Sequence, residues 1–261
     1  MTINLQNLRA GYRDFMLKDI NQDLPKGRLT ALIGPNGCGK STLFGAMAGN
    51  LPVKSGRILI DGLDVTKTSP RKISRHVALL PQSPVVPPAI RVEQLVAYGR
   101  APYQNLLGQR RAGDQEAIES AMVKAGIDTH RQSKLSDLSG GQRQRAFLAM
   151  CLAQDTPVML FDEPTSFLDI RYQYETLEVL ADLANGGRTV VVVLHDIGQA
   201  ARFAHHLVVM KAGKVLNSGA PSETITPQTL RDAYEVEAQV YADPVTQTPQ
   251  LSPLSNVRAR N

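Results

Sequence analysis

The nine residues Gly34-Pro35-Asn36-Gly37-Cys38-Gly39-Lys40-Ser41-Thr42 constrain this chain more than any other stretch. They satisfy G-x-x-x-x-G-K-[ST], the pattern of a loop that cradles phosphate. The surroundings fit that reading. Leu29 to Ile33 reads as a buried strand running into the loop, and Ser41 to Ala48 as a helix leaving it. Such an arrangement turns several backbone N–H groups and a helix N-terminus toward one point, which favours an anion there. The glycines leave the backbone free to turn tightly. Lys40 is placed to reach β- and γ-phosphates, the Ser41 hydroxyl to hold Mg²⁺, and Thr42 to stand near an α-phosphate.

Further strands and helices follow from the hydrophobic pattern. Residues 3–8 and 28–33 have strand character, with a turn at Pro25-Lys26-Gly27. Arg57 to Ile60 reads as a strand closing on Asp61-Gly62, and Val77 to Leu80 as a short strand ending at Pro81-Gln82. Ser83 to Ala89 holds three prolines and excludes regular structure. Val92 to Tyr98, Asp114 to Ala125 and Gly140 to Gln154 have helical spacing, so residues of about 86–154 form a mostly helical insertion.

An α/β alternation then resumes. Val158 to Phe161 is a strand, and Ile170 to Ala184 an amphipathic helix with Ile170, Tyr174, Leu177, Ala181 and Ala184 on one face. Thr189 to Leu194 is the β-branched run of a strand covered on both faces. A short helix is expected over Ile197 to Ala204, and a hairpin from Leu207 to Leu216. The last residues, about 245–261, are rich in Pro, Gln, Ser and Thr and are expected to be loosely held.

Several polar residues fall at strand ends, where open α/β sheets place their ligands. Asp162 closes the strand at Phe161 and is a candidate for Mg²⁺; Glu163 follows and is a candidate to orient and polarise a water. His195 ends the strand that begins at Thr189, and Gln82 follows Leu80, where it could ligate Mg²⁺ or water. Tyr12, after Gly11, reads equally as a ring that stacks on a base or as half-buried packing. Ser139 is a good N-cap for the helix that starts at Gly140.

Composition narrows the class. The 261 residues are 43% hydrophobic, enough for a full core, yet no apolar run approaches the length of a membrane span. Met1 to Leu5 lacks the basic and apolar regions of a signal peptide. The two cysteines, Cys38 and Cys151, fit a reducing cytosol better than a disulfide scaffold. The net charge of +5 is small and spread; Arg110-Arg111 and Arg258/Arg260 read as solvated, so no nucleic-acid partner is expected.

Leu138-Ser139-Gly140-Gly141-Gln142 is the signature of ATP-binding-cassette (ABC) ATPases, and the chain resembles that family from residue 2 to about 245. Gly34 to Thr42 is similar to its Walker A, Val158 to Glu163 to its Walker B, and Gln82 to its Q-loop. Ser166-Phe167-Leu168-Asp169 resembles its D-loop, His195 its switch histidine and Tyr12 its adenine-stacking aromatic. Phe167 departs from the Ala common at that place.

The resemblance implies a P-loop NTPase with a RecA-like, mostly parallel sheet core, an N-terminal antiparallel β-subdomain and an inserted helical subdomain. It implies one ABC ATPase domain over residues 1–241, with a catalytic core of about 1–85 and 155–241, a helical part of about 86–154, and an extension over 242–261. ATP and Mg²⁺ are the implied cofactors. Gly34 to Thr42 and Tyr12 would bind nucleotide within one subunit. The signature residues Ser139, Gly140, Gly141 and Gln142 would bind nucleotide as well, Ser139 and Gly141 acting across a homodimer on the nucleotide held by a second ATPase subunit; Asp169 of the D-loop is a further nucleotide-binding candidate.

A narrower likeness concerns Tyr98-Gly99-Arg100-Ala101-Pro102-Tyr103, Thr165 to Ile170, Val193 to Ile197, Leu138 to Gln154 and Asp243-Pro244-Val245. These resemble the ATPases of iron–siderophore, haem and vitamin B12 importers, and the ferric-citrate and ferric-enterobactin members above all. The implied role is import of a ferric siderophore, with haem or vitamin B12 as alternatives and a soluble non-transport ATPase as a third. The implied partners are transmembrane permeases and, indirectly, a substrate-binding protein. The permease would dock near Gln82 to Arg100, and the chain would sit on the cytoplasmic face of the inner membrane. Pro84 to Ala89 reads equally as part of that surface or as a connector.

Overall fold

The computed structural model describes residues 2–12, 14–84, 87, 89–105, 111–166 and 168–256. Phe167, Arg110, the pair Arg258/Arg260 and part of the stretch 84–89 lie outside the described residues. The order of elements is β1 (Ile3–Ala10), β2 (Ile20–Leu24), β3 (Leu29–Ile33), α1 (Lys40–Met47), β4 (Val53–Ile60), β5 (Leu63–Asp64), α2 (Pro70–Ile73) and β6 (Val77–Leu80). The helices α3 (Val92–Tyr98), α4 (Asp114–Lys124) and α5 (Gly140–Gln154) follow. The chain continues with β7 (Val158–Asp162), α6 (Ile170–Asn185), β8 (Thr189–Val193), α7 (Ile197–Phe203), β9 (His206–Lys211) and β10 (Lys214–Gly219). It ends with α8 (Pro221–Thr224), α9 (Pro227–Tyr234), β11 (Val236–Ala242) and β12 (Pro249–Asn256).

The apolar runs at Leu29, Val158 and Thr189 become the fully buried strands β3, β7 and β8. They lie inside a six-stranded sheet of order β10-β9-β3-β8-β7-β6, parallel except for the β9–β10 hairpin. Alternate residues of these strands face opposite ways. Ala31, Phe161, Val190 and Val192 join one core with the helices; Leu32, Leu160, Val191 and Val193 join another with the first strands and α1. That second core is roofed by an antiparallel sheet of order β2-β1-β4-β5. The carboxyl ends of β3, β8, β7 and β6 therefore stand in a row. They deliver the phosphate loop, His195, Asp162-Glu163 and Gln82 to one edge. This arrangement is the mixed α/β architecture with a parallel core that the sequence led us to expect.

The segment between β6 and β7 packs α3 and α4 against α5. A buried polar tie within it is Arg100, whose Nε lies 2.8 Å from Asp114 Oδ1 while its Nη1 donates to the Ala153 carbonyl at 2.8 Å. Only 1% of the Asp114 side chain is exposed. Burial pushes the Asp114 carboxyl up, but the Arg111 N–H and the Arg100 guanidinium outweigh it and hold the carboxyl below the usual range. Arg100→Ala leaves a buried carboxylate without its cation and is expected to lower stability by about 3–5 kcal/mol at neutral pH. Because the folded carboxyl is the stronger acid, the pair contributes fully above the unfolded carboxylate range, near pH 4. Its contribution is lost as the pH falls through the lowered Asp114 value. Urea titrations of both proteins should show the gap shrinking on acidification; a gap independent of pH would count against the ion pair as its source.

Two expectations need correction. Residues from about 245 onward are not loosely held throughout: β12 pairs along its length with β11, from Val236 opposite Asn256 to Ala242 opposite Pro249. Pro249 and Pro253 misled the composition argument, since a two-stranded ribbon has outward N–H positions that proline can occupy. Ile170 does not lie on the buried face of α6. It is 73% exposed at the first position of that helix, and the inward face begins at Thr176 and Leu177. No helix among the described residues is long and apolar enough to cross a membrane.

Candidate active site

The loop after β3 is shaped by its glycines and pinned by its lysine. Gly39, the N-cap of α1, has φ 109°, and a Cβ there would meet the Phe15 ring at 2.8 Å, so only glycine fits. Lys40 is 6% exposed; its Nζ donates to the Gly34 carbonyl at 2.7 Å and to the Pro35 carbonyl at 3.1 Å. The ammonium is thereby fixed over the concave side of the loop. Cys38 is buried, and burial raises its thiol pKa in spite of the Lys40 charge 3.8 Å away, so it stays a neutral packing group.

Across the sheet edge, Glu163 is the focus of three side chains. Gln82 Nε2 donates to its Oε2 at 2.7 Å, Ser166 Oγ to the same oxygen at 3.0 Å, and His195 Nε2 lies 2.6 Å from Oε1. The backbone at Glu163 is left-handed, with φ 54°, an uncommon state for a residue with a side chain. That turn aims the carboxylate sideways off the end of β7 toward Gln82 and His195. His195 is in turn followed by Asp196, which caps α7 by accepting from the Gln199 N–H at 2.8 Å.

Asp162, the last residue of β7, is 6% exposed, and its Oδ1 is buried with no hydrogen-bond partner. Burial raises its carboxyl pKa, the Ser41 hydroxyl beside it pulls the value back, and the Glu163 charge adds to the rise. A buried carboxylate oxygen without a partner is a fit for a hard cation, which prefers oxygen ligands. Among the described residues no cluster of three or more His, Cys, Asp or Glu could hold a metal ion alone. A cation here would thus draw most of its ligands from a bound phosphate and water.

The groups meet in a cleft of about 560 Å³ that brings together Asn36, Lys40, Thr42, Gln82, Glu163 and His195. Phe15 lines it as well, a residue the sequence did not single out; its only signal was an aromatic three residues after Tyr12. Tyr12 itself is 66% exposed and is not part of the lining. Ser139, Gly140, Gly141 and Gln142 also lie outside the cleft. Ser139 Oγ accepts from the Gln142 N–H at 3.3 Å while Gln142 Oε1 accepts from the Ser139 N–H at 3.0 Å, a reciprocal cap on α5. Asp169 is elsewhere too, accepting from the Tyr172 N–H at 3.1 Å as the cap of α6.

Comparison with known proteins decides the family. Residues 17–166 match the family model described as ABC transporter. The chain belongs to the ABC transporter family. It is 38% identical over 250 residues to the iron(3+)-hydroxamate import ATP-binding protein of Bacillus subtilis, covering 95% of this chain and 93% of that one. It is 40% identical over 251 residues to the ferric enterobactin transport ATP-binding protein of Escherichia coli, again covering 95% and 93%. Among solved structures, an inward-facing ABC transporter of metal-chelate type superposes with a TM-score of 0.84 at 26% identity, over 97% of both chains. The chain is an ABC ATPase: it binds ATP and hydrolyses it.

Proposed function

We propose that this ABC ATPase powers import of a ferric siderophore through separate inner-membrane permeases. The observation that carries the ATPase half is Glu163, held by Gln82, Ser166 and His195 beside the phosphate loop. A carboxylate so placed orients the attacking water, and His195 and Gln82 fix its aim. Lys40 and the loop N–H groups hold the β- and γ-phosphates. Ser41, Asp162 and Gln82 would hold Mg²⁺, which would supply charge neutralisation on the phosphates.

The proposed domain plan is a catalytic core of about 1–85 and 155–241, a helical part of about 86–154 and an extension over 242–261. Two subunits pair, and each offers Ser139 to Gln142 to the nucleotide of the other. The exposure of Ser139 and Gly140 outside their own subunit's cleft supports this reading. So does the helix N-terminus of α5, capped by Ser139 yet exposed, whose dipole would stabilise developing phosphoryl charge.

A groove of about 690 Å³ supports a permease partner. It runs between α2 and the turn after α3, past Asn50, Arg71, Leu79, Pro102 and Gln104, with one wall from the helical segment and one from the core. A short cytoplasmic helix of the permease would dock there, slightly beyond the Gln82 to Arg100 span that the sequence suggested. The permeases would hold the chain at the cytoplasmic face of the inner membrane. The siderophore itself, handed on by a substrate-binding protein, would not touch the chain.

The test is uptake of labelled iron, haem and vitamin B12 by iron-limited cells that lack the chain, with individual siderophores supplied separately. Loss of uptake of one ferric siderophore is expected, restored by the wild-type chain and not by Lys40→Ala. Loss confined to haem or vitamin B12 would reassign the substrate. Unimpaired uptake of every compound would remove the import role.

A further inference from the structure

The turn that opens α5 rests on one side chain of α6. A Cβ added at Gly141 would lie 3.2 Å from Cδ2 of Tyr172, so the glycine already sits against that ring. The same ring carries the Arg145 guanidinium, 4.7 Å from its centroid, and Arg145 pairs with Glu175. Glu175 also accepts from Arg171 Nε at 2.8 Å. The ring is therefore held by a cation that is itself held by a carboxylate, one turn along α6.

The base of Tyr172 is fixed as firmly. Its N–H is capped by Asp169, and the next residue, Gln173, donates to the Leu168 carbonyl at 2.9 Å. Gln173 Oε1 accepts from Gln199 Nε2 at 2.6 Å, and Gln199 belongs to the helix capped by Asp196, next to His195. A second link runs from α5 back toward the catalytic acid: Gln144 Nε2 donates to the carbonyl of Pro164, the residue after Glu163, at 3.0 Å. The first turns of α5 are thus tied twice to the segment that leaves Glu163.

We infer that Tyr172 is the positioning residue of the 139–142 turn, its ring setting where Gly141 and its neighbours are offered to the partner's nucleotide. This rests on the two-subunit reading above. N–H donors stabilise developing charge only when their position is preset, and a support that moves by a fraction of an ångström forfeits that. The ring contacts make the case and the hydroxyl takes no part in them, so phenylalanine should serve as well. The arrangement also joins the same α6 turn to both sites of a pair: through Gln173 and Gln199 to the helix that follows His195, and through Gly141 to the turn offered to the partner.

The experiment uses the full-length purified chain. In a Glu163→Gln background, ATP-dependent dimerisation is followed by light scattering, and nucleotide binding to the monomer by a fluorescent ATP analogue. Tyr172→Ala should leave analogue affinity within about twofold and raise the ATP concentration for half-dimerisation about tenfold, the effect of a displaced donor rather than a deleted one. Tyr172→Phe should restore the wild-type value. Tyr172→Leu, which keeps an apolar cover on α6 without a ring, is read in the same way if the alanine variant fails to fold.

Gly141→Ala supplies a second measurement. It should impair dimerisation strongly when Tyr172 is present and much less in Tyr172→Ala, because the opposing ring is gone. Wild-type dimerisation by both Tyr172→Ala and Tyr172→Leu, or independent effects of the two positions, would overturn the inference. A Glu163→Gln chain that stays monomeric at saturating ATP would instead overturn the two-subunit reading, and this inference with it.

Discussion

Glu163→Gln is expected to lower ATP hydrolysis by about 10²–10⁴-fold, the range for loss of a general base, while leaving ATP affinity unchanged. The substitution is nearly isosteric. A glutamine carbonyl at 163 can still accept from Gln82 Nε2 and Ser166 Oγ, and its amide can face His195 Nε2, so the local hydrogen bonds survive. What is lost is the negative charge that draws a proton from water. ATP should therefore bind and persist, and the chain should accumulate as an ATP-bound dimer. A phosphate-release assay and size-exclusion chromatography with ATP check both halves. Wild-type turnover would remove Glu163 from the reaction and leave His195 as the residue to examine.

Ser139→Arg has the second largest expected effect. Within its own chain the change removes only an N-cap, worth about 1 kcal/mol, so the fold should survive. Toward a partner it is severe. The Ser139 turn is exposed, and a long guanidinium there would occupy the space meant for the partner's terminal phosphate. Hydrolysis should fall to background with analogue binding retained, since none of residues 139–142 lines the cleft that holds Lys40. Loss of analogue binding in a folded protein would place Ser139 in the same site as Lys40.

Most of the strand-end chemistry was legible because it is local. The phosphate-loop pattern needs eight adjacent residues, and Asp162-Glu163 and His195 each come at the end of an unbroken apolar run. The parallel core could be read for the same reason: its strands are covered on both faces and so are apolar throughout. Failures came where one face is wet or the partner is distant. β2 is an edge strand with only Ile20 and Leu24 buried at its two ends, a pattern that period-two reading passes over. β11 and β12 gain their register from each other and their seat from α7 and α9, which composition cannot express. Phe15 is invisible for a similar reason: nothing in its neighbours announces that its ring covers Gly39. Tyr172 looks from the sequence like one more polar-faced aromatic, and only the approach of the first turn of α5 to the first turn of α6 gives it Gly141 as a neighbour.

The sheet order has a consequence for how the protein is made. β3, which leads into the phosphate loop, pairs on one side with β8 and on the other with β9. From Ile33 to Thr189 is a distance of 156 residues. At ribosomal elongation rates that interval is on the order of ten seconds, during which β3 has both edges open. The antiparallel strands β1, β2, β4 and β5 can close early, because all of them fall within the first 64 residues. The nascent chain therefore carries a finished roof and an unfinished floor. A folding assistant that acts on it has one obvious target, the apolar strand Leu29–Ile33, and a polypeptide stalled before residue 189 cannot complete the strand pairing that frames its nucleotide loop.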